Sequence, residues 1–251
     1  MKSVNYNYKE RKVKVEEILD NTDKVNEVNS FPRDEEFTYT NGYKAWAGAI
    51  FVDLRDSTTL FTNSDDVEIS KVIRGFTSEI IEILRNNTDG NDLKEIGIRG
   101  DCVFAVYSTP YQQDIYEIAR RAFYINTYIK MLNKLLKKRN LPTIKVGIGL
   151  ATKITLAVKA GRKSSGINNL VWIGEAVAKA SKLSDIGNKN GKDPIVMSST
   201  FYDNYIEVGI KKNAKSKDWW TYVNDSTYDE YYHGDVIIKD FNEWINNGME
   251  D

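Results

Sequence analysis

Residues 47–58 read AGAIFVDLRDST, and this stretch decides the fold class. Its opening part, AGAIFVDL, is a short and mostly apolar run, which is typical of a strand buried inside a sheet. The run reaches Asp53 near its end, and Asp56, Ser57 and Thr58 follow as residues that favour the start of a helix. The sequence therefore predicts a buried strand that ends in a carboxylate and leads into a helix N-terminus.

Two long amphipathic helices are predicted farther along the chain. Apolar residues recur three and four positions apart over residues 69–84 and again over 115–136, and the second run ends before Pro142. Between them, the strand-like runs 93–99 and 102–107 flank a Gly-Asp pair, which indicates a tight hairpin. The first strand is therefore followed by a helix, a hairpin and a second helix.

The next part of the chain predicts a second strand pair, a helix and a further strand. The apolar runs 144–151 and 154–160 form the expected pair, a loop running into a helix falls at 172–183, and a strand falls at 193–199. Two long helices and a largely antiparallel sheet in this order predict an α+β, ferredoxin-like fold with helices flanking the sheet.

The chain divides by composition into three parts. Residues 1–45 are polar and mixed and form an N-terminal extension, with a short helix expected around residues 11–19. A central domain covers residues 46–210. Residues 211–251 are rich in Trp and Tyr, and we expect them to pack on the central domain.

The overall composition predicts a soluble, cytoplasmic protein. The chain has 251 residues, of which 41% are apolar and 28% charged, and its net charge of −1 gives no electrostatic case for nucleic-acid or membrane partners. One cysteine, Cys102, excludes an internal disulfide, and a single histidine leaves little basis for a histidine triad or a zinc cluster. The sequence shows no signal peptide, no membrane-spanning run and no glycine-rich phosphate loop.

Two aspartates are candidates for a metal site. Taken alone, Asp53 begins a turn, Asp56 caps a helix and Asp101 forms a turn, which are ordinary roles for aspartate. In a ferredoxin-like sheet, however, the first strand lies beside the hairpin, so Asp53 and Asp101 are expected to converge. Two carboxylates that hold a pair of divalent cations suit phosphoryl transfer between oxygens. On the helix at 172–183, Lys179 and Lys182 share a face, as a solvated lysine pair also does.

Four segments together resemble the catalytic domain of class III nucleotide cyclases. FVDLRDSTTLF (51–61) and EIGIRGDCVFAVY (95–107) are similar to the family's two metal segments. IKVGIGLATKITLAVKAG (144–161) resembles the strand pair that follows, and WIGEAVAKASKL (172–183) resembles the segment of the transition-state residues. The resemblance covers about Ala47 to Ser199, and it implies that residues 46–210 are a cyclase catalytic domain.

Departures from the family pattern bear on the substrate. The two positions that read a purine base fall on Gly97 and Val171, which lack hydrogen-bonding side chains. DLRDST and the lead-in GYKAW are similar to the bacterial pyrimidine cyclases of Pycsar anti-phage systems. That resemblance implies conversion of UTP to 3′,5′-cyclic UMP and pyrophosphate, with CTP to cyclic CMP as the alternative. It also implies a separate effector protein that the cyclic nucleotide activates.

The transition-state residues depart as well. The family's Asn falls on Ala178 and its Arg on Lys182, and a lysine cannot make the bidentate contact of an arginine. A catalytically degenerate domain that serves as a nucleotide-binding or dimerisation module is therefore a second hypothesis. The presence of both Asp53 and Asp101 favours the enzyme.

The resemblance also implies roles for single residues. Asp53 and Asp101, with the Leu54 carbonyl, hold two Mn²⁺ or Mg²⁺ ions, and Lys182 stabilises charge on the triphosphate. Main-chain amides near residues 56–58 take the terminal phosphates. The predicted substrate-binding set is Tyr43, Leu54, Arg55, Asp56, Ser57, Thr58, Gly97, Arg99 and Val171, with Trp46 as an alternative to Tyr43 in closing the base pocket. Sites of this class are shared between protomers, which implies a head-to-tail homodimer with two active sites.

Overall fold

The central strand is longer than its apolar run and covers Gly42–Leu54. In the computed structural model, which describes residues 6–21, 23–89, 92–161 and 168–250, this strand pairs antiparallel with a neighbour on each side. Consecutive residues from Ala47 to Val52 are buried, so both faces of the strand are covered, as in a strand inside a sheet.

Helices and strands follow the predicted order, with additional strands near both ends. They are α1 Tyr8–Asp20, β1 Val25–Glu27, β2 Gly42–Leu54, α2 Ser57–Asn63, α3 Asp66–Arg85, β3 Leu93–Arg99, β4 Cys102–Ser108, α4 Gln112–Lys137, β5 Val146–Gly161, β6 Asn168–Ile173, α5 Glu175–Ser184, β7 Ile195–Ser198, α6 Ser199–Lys212, β8 Thr221–Asp225, β9 Asp229–Gly234 and α7 Lys239–Asn246.

One sheet of nine strands runs through the part of the chain that the structure describes. Its order is β3-β4-β2-β5-β7-β9-β8, with β1 beside β2 and β6 beside β5. The β1–β2 and β5–β7 pairs are parallel, and the other pairs are antiparallel. The prediction of an α+β fold with an antiparallel-rich sheet is therefore confirmed.

The two faces of the sheet are covered differently. Ile50, Val52 and Leu54 of β2 face the main core, where α3, α4 and α6 pack. Ala47, Ala49 and Phe51 face the opposite side, where Ala176 and Ala180 of α5 lie against them. Small residues line this second face, so α5 approaches the sheet closely. A Cβ added to Gly149 would lie only 1.9 Å from the Ala180 carbonyl oxygen.

One predicted strand pair is wrong. The runs 144–151 and 154–160 are a single continuous strand, β5, and its partner is β6, which takes in Trp172 and Ile173 from the predicted loop. The residues between the two runs, Thr152 and Lys153, include no turn former, so the chain has no reason to reverse there. β5 ends at Gly161 and β6 begins at Asn168, and residues 162–167 lie outside the described part of the chain.

Both ends of the chain contribute to the sheet. The helix predicted at 11–19 is α1, which has no buried residue, whereas Phe31 and Phe37 are buried against the face that α5 covers. Toward the C-terminus, β9 pairs with β7, and Tyr231 packs beneath α5. The three-part division of the chain stays a prediction. Among the described residues, no helix has the length and apolar character needed to cross a bilayer.

Candidate active site

The two candidate metal aspartates lie side by side. Asp53, near the end of β2, is paired across the sheet with Cys102, the first residue of β4, and Asp101 precedes Cys102 in the hairpin turn. Gly100 makes this tight turn with a φ of +63°, a conformation that glycine adopts without strain. The hairpin therefore brings Asp101 to the end of the central strand, as predicted.

The environment of Asp53 is crowded with charge. Burial raises the pKa of Asp53, the Arg55 guanidinium opposes this shift, and the neighbouring carboxylates of Asp101 and Asp185 raise the pKa further. The Asp53 side chain is 21% exposed, so it remains within reach of a ligand. A divalent cation bound at this point would relieve the repulsion between the carboxylates.

Arg55 does not line the substrate site as predicted. Its side chain is only 2% exposed and forms an ion pair with the Asp53 carboxylate. It also donates hydrogen bonds to the main-chain carbonyls of Asp53 and Asp185, the latter at 2.7 Å. With its donors engaged inside the protein, Arg55 has no group to offer to a nucleotide. The sequence pattern gave no sign that the Arg55 side chain would be buried.

Residues 56–58 form the start of α2. Asp56 occupies the N-cap position in the left-handed conformation, with a φ of 55°, but its side chain makes no capping hydrogen bond. Its predicted role as a side-chain cap is therefore wrong. Ser57 and Thr58 open the helix, whose first-turn amides are the ones that a helix leaves without internal partners.

The predicted lysine pair on α5 is divided between two environments. Lys179 is largely covered, and its Nζ contacts the Asp229 carboxylate at 2.6 Å and the Tyr228 carbonyl at 2.5 Å. Lys182 and Ala178 are exposed on the outer side of the helix. Both line a cavity of about 370 Å³ that also contains Lys153 and the first residues of α6.

A second cavity surrounds Gly97. It has a volume of about 480 Å³, and its lining includes Phe104, Asn169 and Leu170. Arg99 also lines it, and the Arg99 guanidinium lies 5.8 Å from the centroid of the Phe104 ring. Sequence reasoning placed Gly97 and Arg99 at the site but missed Asn169 and Leu170, because the hairpin partner of β5 was misplaced.

Three predicted base contacts lie elsewhere in the protomer. The strand alternation of β6 turns Val171 away from Leu170 and Trp172, so Val171 is exposed on the other face of the sheet. Tyr43 packs edge-on against Phe37, with ring centroids 5.0 Å apart. Tyr43 and Trp46 lie toward the other end of β2 from Asp53, and at about 3.3 Å per residue Tyr43 is roughly 33 Å away.

Comparison with known proteins identifies the family. No protein-family model matches the chain. It is 48% identical over 248 residues to a uridylate cyclase from Treponema porcinum, a match that covers 98% of this chain and 83% of that protein. The chain belongs to the uridylate cyclase family. This cyclase is also 29% identical over 242 residues to a uridylate cyclase from Gulbenkiania mobilis, covering 92% of each chain.

The fold of this cyclase is the class III cyclase fold. The crystal structure of the adenylyl cyclase CyaB from P. aeruginosa superposes with a TM-score of 0.61 at 16% identity, covering 77% of this chain and 95% of that chain. Class III cyclases depend on divalent metal ions. Among the described residues no three His, Cys, Asp or Glu side chains converge on one point. Asp53 and Asp101 fit a cation that takes its remaining oxygen ligands from main chain, substrate or water, as Mg²⁺ commonly does.

Proposed function

We propose that this cyclase converts UTP to 3′,5′-cyclic UMP and pyrophosphate. The observation that carries the proposal is the 48% identity, across nearly the whole chain, to a protein named uridylate cyclase. The juxtaposition of Asp53 and Asp101 at the end of β2 supports an active enzyme over a degenerate binding module. The 3′-hydroxyl attacks the α-phosphorus, the bond to the bridging oxygen breaks, and pyrophosphate leaves with that oxygen.

Asp53 and Asp101 supply the anionic side chains of the reaction centre. We propose that they hold two Mn²⁺ or Mg²⁺ ions with help from the Leu54 carbonyl. Bound there, divalent cations would favour ionisation of the attacking hydroxyl and would neutralise the leaving phosphates. The burial and mutual repulsion that raise the pKa of Asp53 support this role, because both effects favour occupation by a cation.

The remaining groups orient the triphosphate. The main-chain amides of residues 56–58, at the N-cap and start of α2, donate hydrogen bonds to the terminal phosphates. Lys182, exposed on α5 in a cavity that Lys153 also lines, places a positive charge against the phosphates as the transition state forms.

The Gly97 cavity is the proposed base pocket. The lack of a polar side chain at position 97 favours a substrate other than a purine nucleotide, and Arg99 and Asn169 line the pocket. We propose that each site takes Asp53 and Asp101 from one protomer and Lys182 from its partner, in a head-to-tail homodimer. Because the chain resembles the Pycsar cyclases, we propose that its product acts as an anti-phage signal on a separate effector protein.

The decisive experiment is a comparison of four substrates. Purified protein is incubated with UTP, CTP, ATP or GTP and Mn²⁺, and kcat/KM is obtained from chromatography of the products, with the Asp53→Asn protein as the control for contaminating enzymes. Cyclic UMP should be the main product. A higher kcat/KM for CTP would replace UTP by CTP as the substrate, and efficient cyclisation of ATP would refute the pyrimidine assignment altogether.

A further inference from the structure

Arg55 joins three elements at one end of the sheet. Its guanidinium lies between the end of β2, where it binds the Asp53 carboxylate and carbonyl, and the C-terminal end of α5, where it binds the Asp185 carbonyl at 2.7 Å. The third element is β5. A Cβ added to Gly147 of β5 would lie 3.2 Å from Cζ of Arg55 and 2.1 Å from the Ser184 carbonyl oxygen. The guanidinium is therefore held in a tightly packed gap.

The ion pair between Arg55 and Asp53 is asymmetric. The Arg55 side chain is buried almost completely, whereas the carboxylate of Asp53 stays partly exposed toward Asp101. Partial exposure of the Asp53 carboxylate lowers the desolvation cost of the pair. The exposed side of Asp53 is free to bind a ligand while Arg55 fixes its orientation.

We propose that Arg55 is a positioning residue that couples cation binding at Asp53 to α5, the helix that carries Lys182. The coupling rests on the proposed function in one respect, namely that Asp53 binds the cation. Nε and Nη2 of Arg55 hold the carbonyl and carboxylate of Asp53 in one orientation, while Nη1 donates to the Asp185 carbonyl at the C-terminal end of α5. A cation that fixes the Asp53 carboxylate therefore also fixes the guanidinium and, through it, the C-terminal turn of α5.

Cation binding at Asp53 and nucleotide binding at Lys182 should each strengthen the other. Cation binding at Asp53 tightens the C-terminal turn of α5, and a nucleotide that fixes α5 through Lys182 must strengthen cation binding by the same factor. If Lys182 serves the partner's site, Arg55 links the two active sites of the dimer. A lysine at position 55 cannot replace the arginine, because one ammonium does not span the carboxylate and two carbonyls in the same planar geometry.

The test uses the full-length protein with Mn²⁺ and no nucleotide. Hydrogen exchange measured by mass spectrometry should show slower exchange at residues 183–187 when Mn²⁺ is added, and this response should be lost in Arg55→Lys. Mn²⁺ titration followed by electron paramagnetic resonance should show affinity weakened about ten-fold or more in that variant, the usual size of an outer-shell effect. Arg139→Lys, at an exposed arginine just after the C-terminal end of α4, is the matched control and should behave as the wild type.

The outcomes separate the coupling from the proposed function. The wild-type exchange measurement needs no variant, so it remains decisive if Arg55→Lys folds poorly. Mn²⁺ binding that is lost in Asp53→Asn but leaves residues 183–187 unchanged in the wild type would overturn the coupling alone. Absence of any Asp53-dependent Mn²⁺ binding would overturn the coupling and the metal assignment together. Failure to cyclise UTP, with the exchange response intact, would overturn only the substrate.

Discussion

A side chain at position 97 would collide with Phe104: a Cβ built on Gly97 lies 2.9 Å from Cε1 of that ring. Phe104 is 8% exposed and stacks on Phe51, with ring centroids 5.1 Å apart, so it has little room to retreat. Packing therefore requires a glycine at position 97, and this glycine also leaves the position without a side chain that could read a purine base. The Phe104 ring forms the floor of the proposed base pocket and occupies the space that a side chain at position 97 would need.

Gly97→Ala should destabilise the protein and impair catalysis. Overpacking of this kind costs about 1–3 kcal/mol, so thermal unfolding should shift to lower temperature, and kcat/KM for UTP should fall because the pocket floor moves. The same substitution in a Phe104→Leu background should cost less, since the smaller side chain makes room. Ile154→Ala, at an exposed position of β5 that does not line the Gly97 cavity, is the control. Equal costs in both backgrounds would show that Phe104 is not the obstacle.

Much of the fold follows from the pattern of β2 and the helices. Buried runs and helical spacing are local signals, so the sheet order up to β4 and the long helices α3 and α4 match the prediction. The error at β5 arose because a strand of this length contains a polar step at Thr152 and Lys153 that looks like a break. Pairing of residues 146–158 with β2, a non-local interaction, carries the strand through this step.

The site was predictable where it depends on chain direction and unpredictable where it depends on burial. Asp53 and Asp101 end adjacent strands, so their proximity follows from topology. Arg55 follows Asp53 by only two positions, yet nothing local indicates that its side chain turns inward to Asp185, which is distant in sequence. Likewise, Lys179 is covered and Lys182 is exposed because the β8–β9 turn contacts only Lys179 of the pair.

Asp53→Asn and Asp101→Asn should both abolish cyclisation of UTP, yet they should differ in stability. Asp53→Asn leaves the buried Arg55 guanidinium without an anionic partner but relieves the burial of the Asp53 charge and its repulsion from Asp101 and Asp185, so the free energy of unfolding should fall by about 1–3 kcal/mol. Asp101 lies in the hairpin turn, where a carboxamide should change stability by no more than about 0.5 kcal/mol. Calorimetry of the metal-free proteins tests this contrast. Equal stability of the two variants would mean that Asp53 does not neutralise Arg55.

The contact between Lys179 and Asp229 should hold α5 against the β8–β9 turn in a pH-dependent way. The Lys179 ammonium lowers the pKa of the Asp229 carboxyl below its ordinary value of 3.8. An acid with a lowered folded-state pKa stabilises the fold above its unfolded pKa, and the contribution disappears as the pH falls through the folded value. Asp229→Asn should therefore melt below the wild type at pH 7, and the difference should shrink toward pH 3.

Exposed contacts elsewhere provide a control for this effect. Glu243 lies 3.6 Å from Lys239 in a looser exposed pair on α7, away from α5, so Glu243→Gln should leave KM for UTP unchanged. Asp229→Asn should raise KM, because α5 loses the contact that fixes it beside the cavity. A melting difference for Asp229→Asn that stays constant between pH 7 and pH 3 would contradict the ion-pair explanation.

Mixed dimers should test whether Lys182 acts across the interface. If each site combines Asp53 and Asp101 of one protomer with Lys182 of its partner, Asp53→Ala homodimers are inactive at both sites and Lys182→Ala homodimers are weakened at both. A mixed dimer collects both lesions in one site and leaves the other intact, because the interface is two-fold symmetric. Random mixing of equal amounts gives roughly half mixed dimers, so activity should recover to roughly a quarter of the wild type.

Two affinity tags on co-expressed chains isolate the mixed species for assay. The purified mixed dimer should have roughly half the wild-type activity, since one of its two sites is complete. Doubly substituted Asp53→Ala/Lys182→Ala chains mixed with wild-type chains give the matched control, in which each mixed dimer has one lesion in each site and should have no more than about half the activity of the Lys182→Ala homodimer. Higher activity in this control than in the complementing pair would place Lys182 in the same site as the aspartates of its own chain. That result would leave the two-aspartate centre intact and remove the need for the partner in catalysis.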